Sequence, residues 1–302
     1  MSGRPLPPLL ALSLIGLLCL IWGSTWLVIK QSLLDLPPFT SVAARVLVAA
    51  VVMLLVAGPL HRLETGSRPP LWLSAQLGGI QFALSYAIIY WAERVLPSGL
   101  CSVLWAVYPL LIALAGHFWL ASERITPRQG LGFLLGFCGI VALFLTDVRG
   151  FGPDAVPTAL VLLVSPLVVT FSTLLIKKHG SGVSSILLNR DGLCFAAILL
   201  VGWVAAVERD APVTWTLRAI LAVLYLAIVG TVITFCLYFW LMRSVAAYRM
   251  SLIAYVTPAL ALALGVLAGG EAVHWHTLAG GALVLVGVGL SATQRRRPVV
   301  EA

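Results

Sequence analysis

Polar and aromatic side chains recur midway along the apolar stretches of the chain, where the chemistry open to them is the binding of a solute. Gln81, Ser85 and Tyr86 share roughly one face of a helix. Such groups are costly in hydrocarbon, so they line a polar path or, alternatively, pack or hydrogen-bond between helices or lie in an interfacial belt. The predicted substrate cavity comprises Trp22, Thr25, Gln81, Ser85, Tyr86, Trp105, Tyr108, Thr234, Tyr238, Tyr255 and Thr257.

Charged residues near the ends of the apolar stretches form a predicted gate. Its members are Lys30, Arg45, Arg94, Glu123, Lys177, Arg190, Arg243 and Glu271. We expect Glu271 to pair with Arg or Lys at the outer face and Glu123 to do so at the inner face, because charges beside hydrocarbon need partners. The alternative is that they reach the lipid headgroups. Pro109 and Pro258 are predicted hinges, because a proline inside a helix removes a hydrogen bond and bends it.

Catalytic and metal-binding patterns are not found in the sequence. It has no HExxH, GxSxG or GxxxxGK motif. The five cysteines are well separated inside apolar stretches, and His274 and His276 on a short loop make a weak metal site. We therefore expect no catalytic residue, no metal, no cofactor and no nucleotide-driven pump.

The composition identifies the solvent of these elements as lipid. Hydrophobic residues make up 61% of 302 positions, charged residues 10%, and mean hydropathy is +1.04, whereas soluble domains are about half apolar and a quarter charged. The net charge of +8 is scattered apart from Arg295–Arg297, a pattern typical of loops facing an anionic membrane rather than of nucleic-acid binding. The fold class is predicted to be an all-α integral membrane protein.

Ten stretches are long enough to cross a bilayer, since about 20 apolar helical residues span its core. They cover residues 9–29, 38–58, 71–91, 98–120, 128–146, 156–176, 184–207, 217–241, 248–268 and 275–293. The first is too long for a signal core and no cleavage site follows it. The distribution of Lys and Arg predicts that both termini are cytoplasmic.

The chain repeats itself about halfway along its length. Six residues of the first half (Trp91, Arg94, Ser102, Val107, Pro109 and Gly116) recur 149 positions later. We predict two five-helix repeats, residues 1–147 and 148–302. An odd number of spans inserts the second copy upside down, an arrangement found in alternating-access transporters. Gly132 and Gly136 in the fifth helix, and Gly280 and Gly287 in the tenth, predict that these helices form a scaffold or the surface of a possible homodimer.

The motif WGSTW (Trp22–Trp26) in the first helix resembles the drug/metabolite transporter superfamily, in its EamA-domain branch. The proline-containing fourth helix that ends in Glu123 and its copy around Pro258 and Glu271 are similar to that family too. The resemblance implies a carrier of the bacterial inner membrane that exports amino acids or related metabolites, with aromatic amino-acid exporters as relatives. The second copy departs from the first at Thr257, which stands where the first has Tyr108.

The predicted function is a secondary transporter that exports small metabolites, amino acids foremost, across the inner membrane by alternating access. Its partners are a small-molecule substrate and the lipid bilayer. The alternatives are a transporter of other solutes (nucleosides, sugars or drugs), a channel, or a membrane enzyme. A midplane rich in Trp and Tyr and poor in acids favours neutral or amphipathic cargo.

Overall fold

A computed structural model describes residues 7–62, 64, 66–119, 126–146, 148–244, 250 and 252–292 of the chain. Within these residues the chain forms ten helical rods and no β-strand. The rods are α1 (Pro8–Ser32), α2 (Pro38–His61), α3 (Leu71–Gln76, Leu77–Leu84 and Ser85–Ala92), α4 (Ser98–Trp105 and Tyr108–Trp119), α5 (Pro127–Thr146), α6 (Ala155–His179), α7 (Ser185–Val207), α8 (Leu217–Leu224, Tyr225–Ile233 and Thr234–Ser244), α9 (Leu252–Leu267) and α10 (Trp275–Ala292). A short 3₁₀ turn, Val148–Phe151, precedes α6.

Six of these helices are long and apolar enough to cross a membrane: Leu9–Ser32, Pro38–His61, Ser98–Trp119, Ala155–His179, Ser185–Val207 and Leu217–Tyr238. Shorter apolar helices cover Gly130–Leu143, Val256–Leu267 and Trp275–Leu290. Helices suit these sequences because every backbone polar group must find its partner within the segment in lipid. The chain is therefore an all-helical, multi-pass membrane protein.

Two rods contain a π-helical segment in their middle, Leu77–Leu84 in α3 and Tyr225–Ile233 in α8. In a π-helix the hydrogen bond spans one more residue than in an α-helix, which shifts the faces of the rod and leaves carbonyl groups open to side chains. Thr231 and Thr234 use this opening, since their hydroxyls donate to the carbonyls of Leu226 and Val229, five residues back. The two segments lie at comparable places in the two halves of the sequence.

The two predicted hinge prolines have different surroundings. Pro109 does not lie in the middle of a helix as expected: α4 is interrupted at residues 106–107, and Pro109 is the second residue of the segment that follows. A proline is tolerated in the first turn of a helix, where its missing N–H has no partner to lose. Pro258 does lie inside α9, which continues through it.

Helices α2 and α7 run antiparallel, and each begins against a glutamate that follows the other. The Glu64 carboxylate, just after α2, accepts N–H groups of Ser185 (2.9 Å) and Ile186 (3.1 Å) at the start of α7. The Glu208 carboxylate, directly after α7, accepts the Thr40 N–H (2.6 Å) at the start of α2. These carboxylates satisfy helix N–H groups that have no partner within their own helix. We call the two ends of the bundle the Glu64 end and the Glu93 end, the latter containing Glu208 and the connection between α3 and α4.

Glycines bring α5 and α10 into close antiparallel contact within the chain. A Cβ added at Gly139 would lie 2.7 Å from the Gly280 carbonyl oxygen and 2.8 Å from the Val284 nitrogen. Gly287 faces Gly132 and Gly136 in the same way. Small residues let helix backbones approach this closely in membranes. These glycines therefore hold α5 against α10, as the predicted scaffold role requires. The possible homodimer stays a prediction.

Candidate functional site

A network of rings and hydroxyls joins α3, α4 and α6 in the middle of the bundle. The Trp105 indole N–H donates to the Ser165 hydroxyl (3.0 Å), which lies 2.8 Å from the hydroxyl of Ser85. Tyr108 stacks on Trp105, with ring centroids 5.0 Å apart, and its hydroxyl lies 2.9 Å from that of Thr173. Three of the predicted cavity residues, Ser85, Trp105 and Tyr108, are thus brought together.

The partners on α6 were missed by the sequence analysis. Ser165, Ser172 and Thr173 lie in a helix with no large polar side chain in its apolar part. Ser172 donates to the Gln81 side-chain oxygen at 3.4 Å, so this predicted residue also reaches α6. Four hydroxyl residues (Ser165, Thr170, Ser172 and Thr173) within nine positions were the available signal, because lipid-facing positions do not select for them.

Four other predicted cavity residues form a second cluster, on α1 and α8. The Trp22 ring packs against Tyr238 (centroids 5.4 Å apart) and Phe235 (6.1 Å). Thr25 is buried, and its hydroxyl donates to the Trp22 carbonyl at 2.7 Å. Thr234 is buried on α8. Trp22, Thr25, Thr234 and Tyr238 therefore lie on neighbouring helices, as a cavity wall requires.

Aromatic contacts connect the two clusters. The rings of Trp26 and Trp105 lie 6.5 Å apart, and Phe82 lies within 6 Å of both Tyr86 and Phe235. The interior is closely packed here. A cavity lined by Met53, Ile186, Asn189, Leu193, Thr231, Val232, Phe235 and Cys236 has a volume of only about 10 Å³, room for one water molecule.

On α9, Thr257 has a buried hydroxyl with no hydrogen-bond partner. A buried hydroxyl without a partner is uncommon in native structures. It lies against α1, where a Cβ added at Gly23 would be 3.4 Å from the Thr257 carbonyl oxygen. Of Tyr255 only the backbone is described, within α9. Its predicted place in the cavity stays a prediction.

Arg45 lies between α2, α3 and α8 and is only 4% exposed. Its Nε donates to the Thr231 hydroxyl (3.1 Å), and its terminal nitrogens lie 3.4 Å from the Tyr90 hydroxyl and 3.5 Å from the Gly230 carbonyl oxygen. The guanidinium also lies 4.5 Å from the centre of the Tyr86 ring, a cation–π contact. Arg45 thus joins α2 to the π segment of α8 through uncharged groups, and Tyr86 takes part in this contact. The predicted place of Tyr86 in the cavity stays a prediction.

At the Glu93 end, Lys30 and Glu271 hold the connection between α3 and α4. Lys30 Nζ donates to the carbonyl oxygens of Glu93 and Leu96 (3.1 Å for Leu96). The Glu271 carboxylate accepts the N–H of Ser98 (2.7 Å) and of Gly99 (3.1 Å) at the start of α4. Glu271 was expected to pair with an Arg or Lys. Among the described residues it instead accepts the two N–H groups of this first turn, which form charge-assisted hydrogen bonds with it.

The other predicted gate residues have different surroundings. Arg190 pairs with its neighbour Asp191 at 2.6 Å, Lys177 is exposed near the end of α6, and Arg94 is exposed with its Nε on the Trp91 carbonyl. Glu123 lies outside the described residues, and of Arg243 only the backbone is described. Of the predicted gate residues, Lys30, Arg45 and Glu271 make contacts between helices or connections, all at or towards the Glu93 end. Their role as a gate stays a prediction.

An ion pair is formed by residues outside the predicted gate. Asp35, in the connection after α1, pairs with Arg218 at 2.8 Å and accepts the Thr216 hydroxyl at 2.6 Å. These hydrogen bonds lower the pKa of Asp35 to about 2. Among the described residues, no group of three or more His, Cys, Asp or Glu is arranged to hold a metal ion.

Comparison with known proteins identifies this arrangement. The sequence model of the EamA-like transporter family matches residues 9–145 and again residues 156–293. The chain belongs to the EamA-like transporter family. The resemblance read from WGSTW and the two proline helices is thereby confirmed.

Relatives of this EamA-like transporter are bacterial membrane proteins. It is 25% identical over 270 residues to the uncharacterized transporter YoaV of Bacillus subtilis, covering 89% of this chain and 92% of that one. It is 27% identical over 269 residues to the uncharacterized inner membrane transporter YedA of Escherichia coli K12, covering 86% and 84%. A solved crystal structure superposes with a TM-score of 0.66 over 94% of this chain and 97% of that one; at 21% identity this shows a shared fold.

Proposed function

We propose that this EamA-like protein is a secondary transporter that exports small metabolites, amino acids foremost, across the bacterial inner membrane by alternating access. The observation that carries the proposal is the double match of one transporter family model, once to each half of the chain. Two related halves with five rods each are what an inverted duplication would produce.

The contacts between the halves support the inverted arrangement. Glu64 and Glu208 hold the starts of α7 and α2 at opposite ends of the bundle. Each half thus makes the same contact to the other, in reversed direction. Each half also has a π segment in its third helix, in α3 and in α8. The last helices of the two halves, α5 and α10, pack against each other through glycines from both.

The unequal surroundings of equivalent residues support alternating access. Arg45 is buried against α8, whereas its counterpart Arg190 in the second half is bonded to its own neighbour. In a protein with two related halves, exchanging these two sets of contacts would close the opposite end. We infer that this structure is closed at the Glu93 end.

The character of the interior supports a neutral or amphipathic cargo. Indole and phenol rings with hydroxyls line α1, α3, α4, α6 and α8, and Glu93, the acid in the connection between α3 and α4, is fully enclosed. A zwitterionic amino acid has no net charge and offers groups for each of these partners. Basic residues at the Glu64 end, Arg62, Arg68, Lys177 and Lys178, favour the cytoplasm for that end.

Transport by the purified protein in proteoliposomes tests the proposal. Vesicles preloaded with unlabelled amino acids, nucleosides or sugars are diluted into the labelled compound, with and without an imposed pH gradient. Saturable counterflow is expected with at least one amino acid, because a carrier exchanges across the membrane and a channel does not. Leakage without trans-stimulation would contradict a carrier.

Topology is tested separately by labelling single cysteines in intact cells. The positions are Ser67, in the connection after α2, and Arg218, at the start of α8. We expect an impermeant reagent added outside to modify Arg218→Cys and not Ser67→Cys. Equal modification of both would contradict the proposed orientation.

A further inference from the structure

Glu93 is an acid enclosed in protein without any hydrogen-bond donor. Its side chain is completely buried in the connection between α3 and α4, and neither carboxylate oxygen has a partner. Taking an ionised carboxylate out of water without donors costs several kcal/mol, so buried acids of this kind favour the neutral form. Burial accordingly raises the pKa of Glu93 well above its ordinary value; Lys30 and Arg45 oppose that shift and Glu271 adds to it.

The charged neighbours of Glu93 are bonded elsewhere. Lys30 donates to main-chain carbonyls, one of them that of Glu93 itself, and Arg45 donates to hydroxyls and a carbonyl on α3 and α8. Glu271 is bonded to the start of α4. The titratable and charged groups that interact with Glu93 electrostatically, helix by helix, are Lys30 on α1, Arg45 on α2, Tyr90 on α3, Cys101 on α4 and Glu271 before α10.

We propose that Glu93 is a proton-binding site, and that its proton must be bound for the Glu93 end of the transporter to close. The inference rests on the proposed function, since it names what controls one gate of that carrier.

The step involves one proton and one rearranged contact. When the end is open and wet, the carboxylate takes a proton from solution and becomes a neutral acid, which can be enclosed without a donor. Lys30 is then free to donate to the carbonyls of Glu93 and Leu96, as observed, and joins α1 to the α3–α4 connection. Loss of the proton restores a negative charge beside Lys30. The ammonium then turns to the carboxylate, and the connection is released.

Proton occupancy is measured without any substrate. Infrared difference spectra of the purified protein in nanodiscs, recorded over a pH titration, report the C=O stretch of a protonated carboxylic acid. Exposed Glu side chains ionise at about pH 4.3, so a band that persists well above this pH comes from an enclosed acid. We expect this band in the native protein and its loss in Glu93→Gln. Glu208→Gln is the matched control, because Glu208 lies at the same end but accepts hydrogen bonds from Phe39 and Thr40.

Counterflow at equal pH on both sides then tests the link to closure. For the native protein we expect exchange of a labelled amino acid to fall as pH rises, because closure needs the proton. Glu93→Gln, which imitates the neutral acid, is expected to keep exchange and lose its pH dependence, whereas Glu208→Gln keeps both. A carboxylic-acid band that survives in Glu93→Gln, or pH dependence that survives there, would overturn the inference.

The two proposals fail in different ways. Native counterflow with no Glu93-dependent band would leave the carrier standing and remove the proton site. A Glu93-dependent band without counterflow of any tested compound would establish the proton site and contradict the carrier.

Discussion

Removing the Glu271 carboxylate should open the Glu93 end of the bundle. In this structure, which we propose is closed at that end, the carboxylate accepts two N–H groups in the first turn of α4, those of Ser98 and Gly99. Leaving both N–H groups without a partner costs about 2–3 kcal/mol. Because each 1.4 kcal/mol or so changes an equilibrium constant about tenfold, this raises the ratio of open to closed molecules roughly 30- to 150-fold. Opening restores the lost hydrogen bonds from water, so the cost applies to the closed form alone.

The assay is the labelling rate of a cysteine that is hidden when this end is closed. Ser102 is 2% exposed, one turn into α4 from Ser98. On a background without the native cysteines, Ser102→Cys reports opening through its reaction with an impermeant maleimide. We expect faster labelling in Glu271→Ala, and also in Gly265→Ala, because a Cβ at Gly265 would collide with the Glu271 carboxylate and displace it.

The matched control removes the same kind of cap at the opposite end. Glu64→Ala leaves Ser185 and Ile186 at the start of α7 without their acceptor. We expect it to lower thermal stability without exposing residue 102. Unchanged labelling in both Glu271→Ala and Gly265→Ala would refute the idea that this cap holds the end closed.

Three further outcomes are expected. Gly139→Val should force α5 from α10 and destabilise the protein by about 1–3 kcal/mol, lowering its melting temperature in detergent, whereas Gly130→Ala, with nothing within 4 Å of its added Cβ, should not. Hydrogen bonds from Arg218 and Thr216 lower the pKa of Asp35 to about 2. The contribution of the Asp35 carboxylate to the stability of the fold is therefore complete above its ordinary pKa of 3.8 and is lost as the pH falls. Asp35→Asn should lower the melting temperature at neutral pH, and the difference from the native protein should shrink as the pH approaches about 2. Trp105→Phe removes the indole N–H bonded to Ser165 and should raise the KM for counterflow more than it changes the maximal rate; an unchanged KM would place Trp105 off the path.

The large side chains of the interior were predictable and their partners were not. Trp105 and Tyr108 stand out in an apolar helix because a ring with a polar atom needs a partner there. Ser165 and Thr173, which supply that partner, look like ordinary small packing residues until α6 lies beside α4. The close spacing of hydroxyl residues indicates that α6 packs against other helices, but the ring that each hydroxyl bonds is known only once the neighbouring helices are known.

Backbone irregularities were likewise beyond sequence reasoning. The π segments in α3 and α8 occur in stretches without proline, so no residue type indicates the wider helical turns there. Pro109 correctly indicated an irregularity in α4, but the helix is interrupted at residues 106–107 and not at Pro109. Glu271 was correctly singled out as a charge in need of partners. Its partners proved to be backbone N–H groups, which no charge pattern reveals.

The reciprocal glutamates have a consequence for how the protein is made. The start of α2 depends on Glu208, which the ribosome adds only after more than half of the polypeptide has been synthesised. Until Glu208 has been added, the N–H groups at the start of α2 lack this acceptor. We expect an N-terminal fragment ending before Glu208 to be degraded when expressed alone, and to survive when the remaining fragment is supplied beside it.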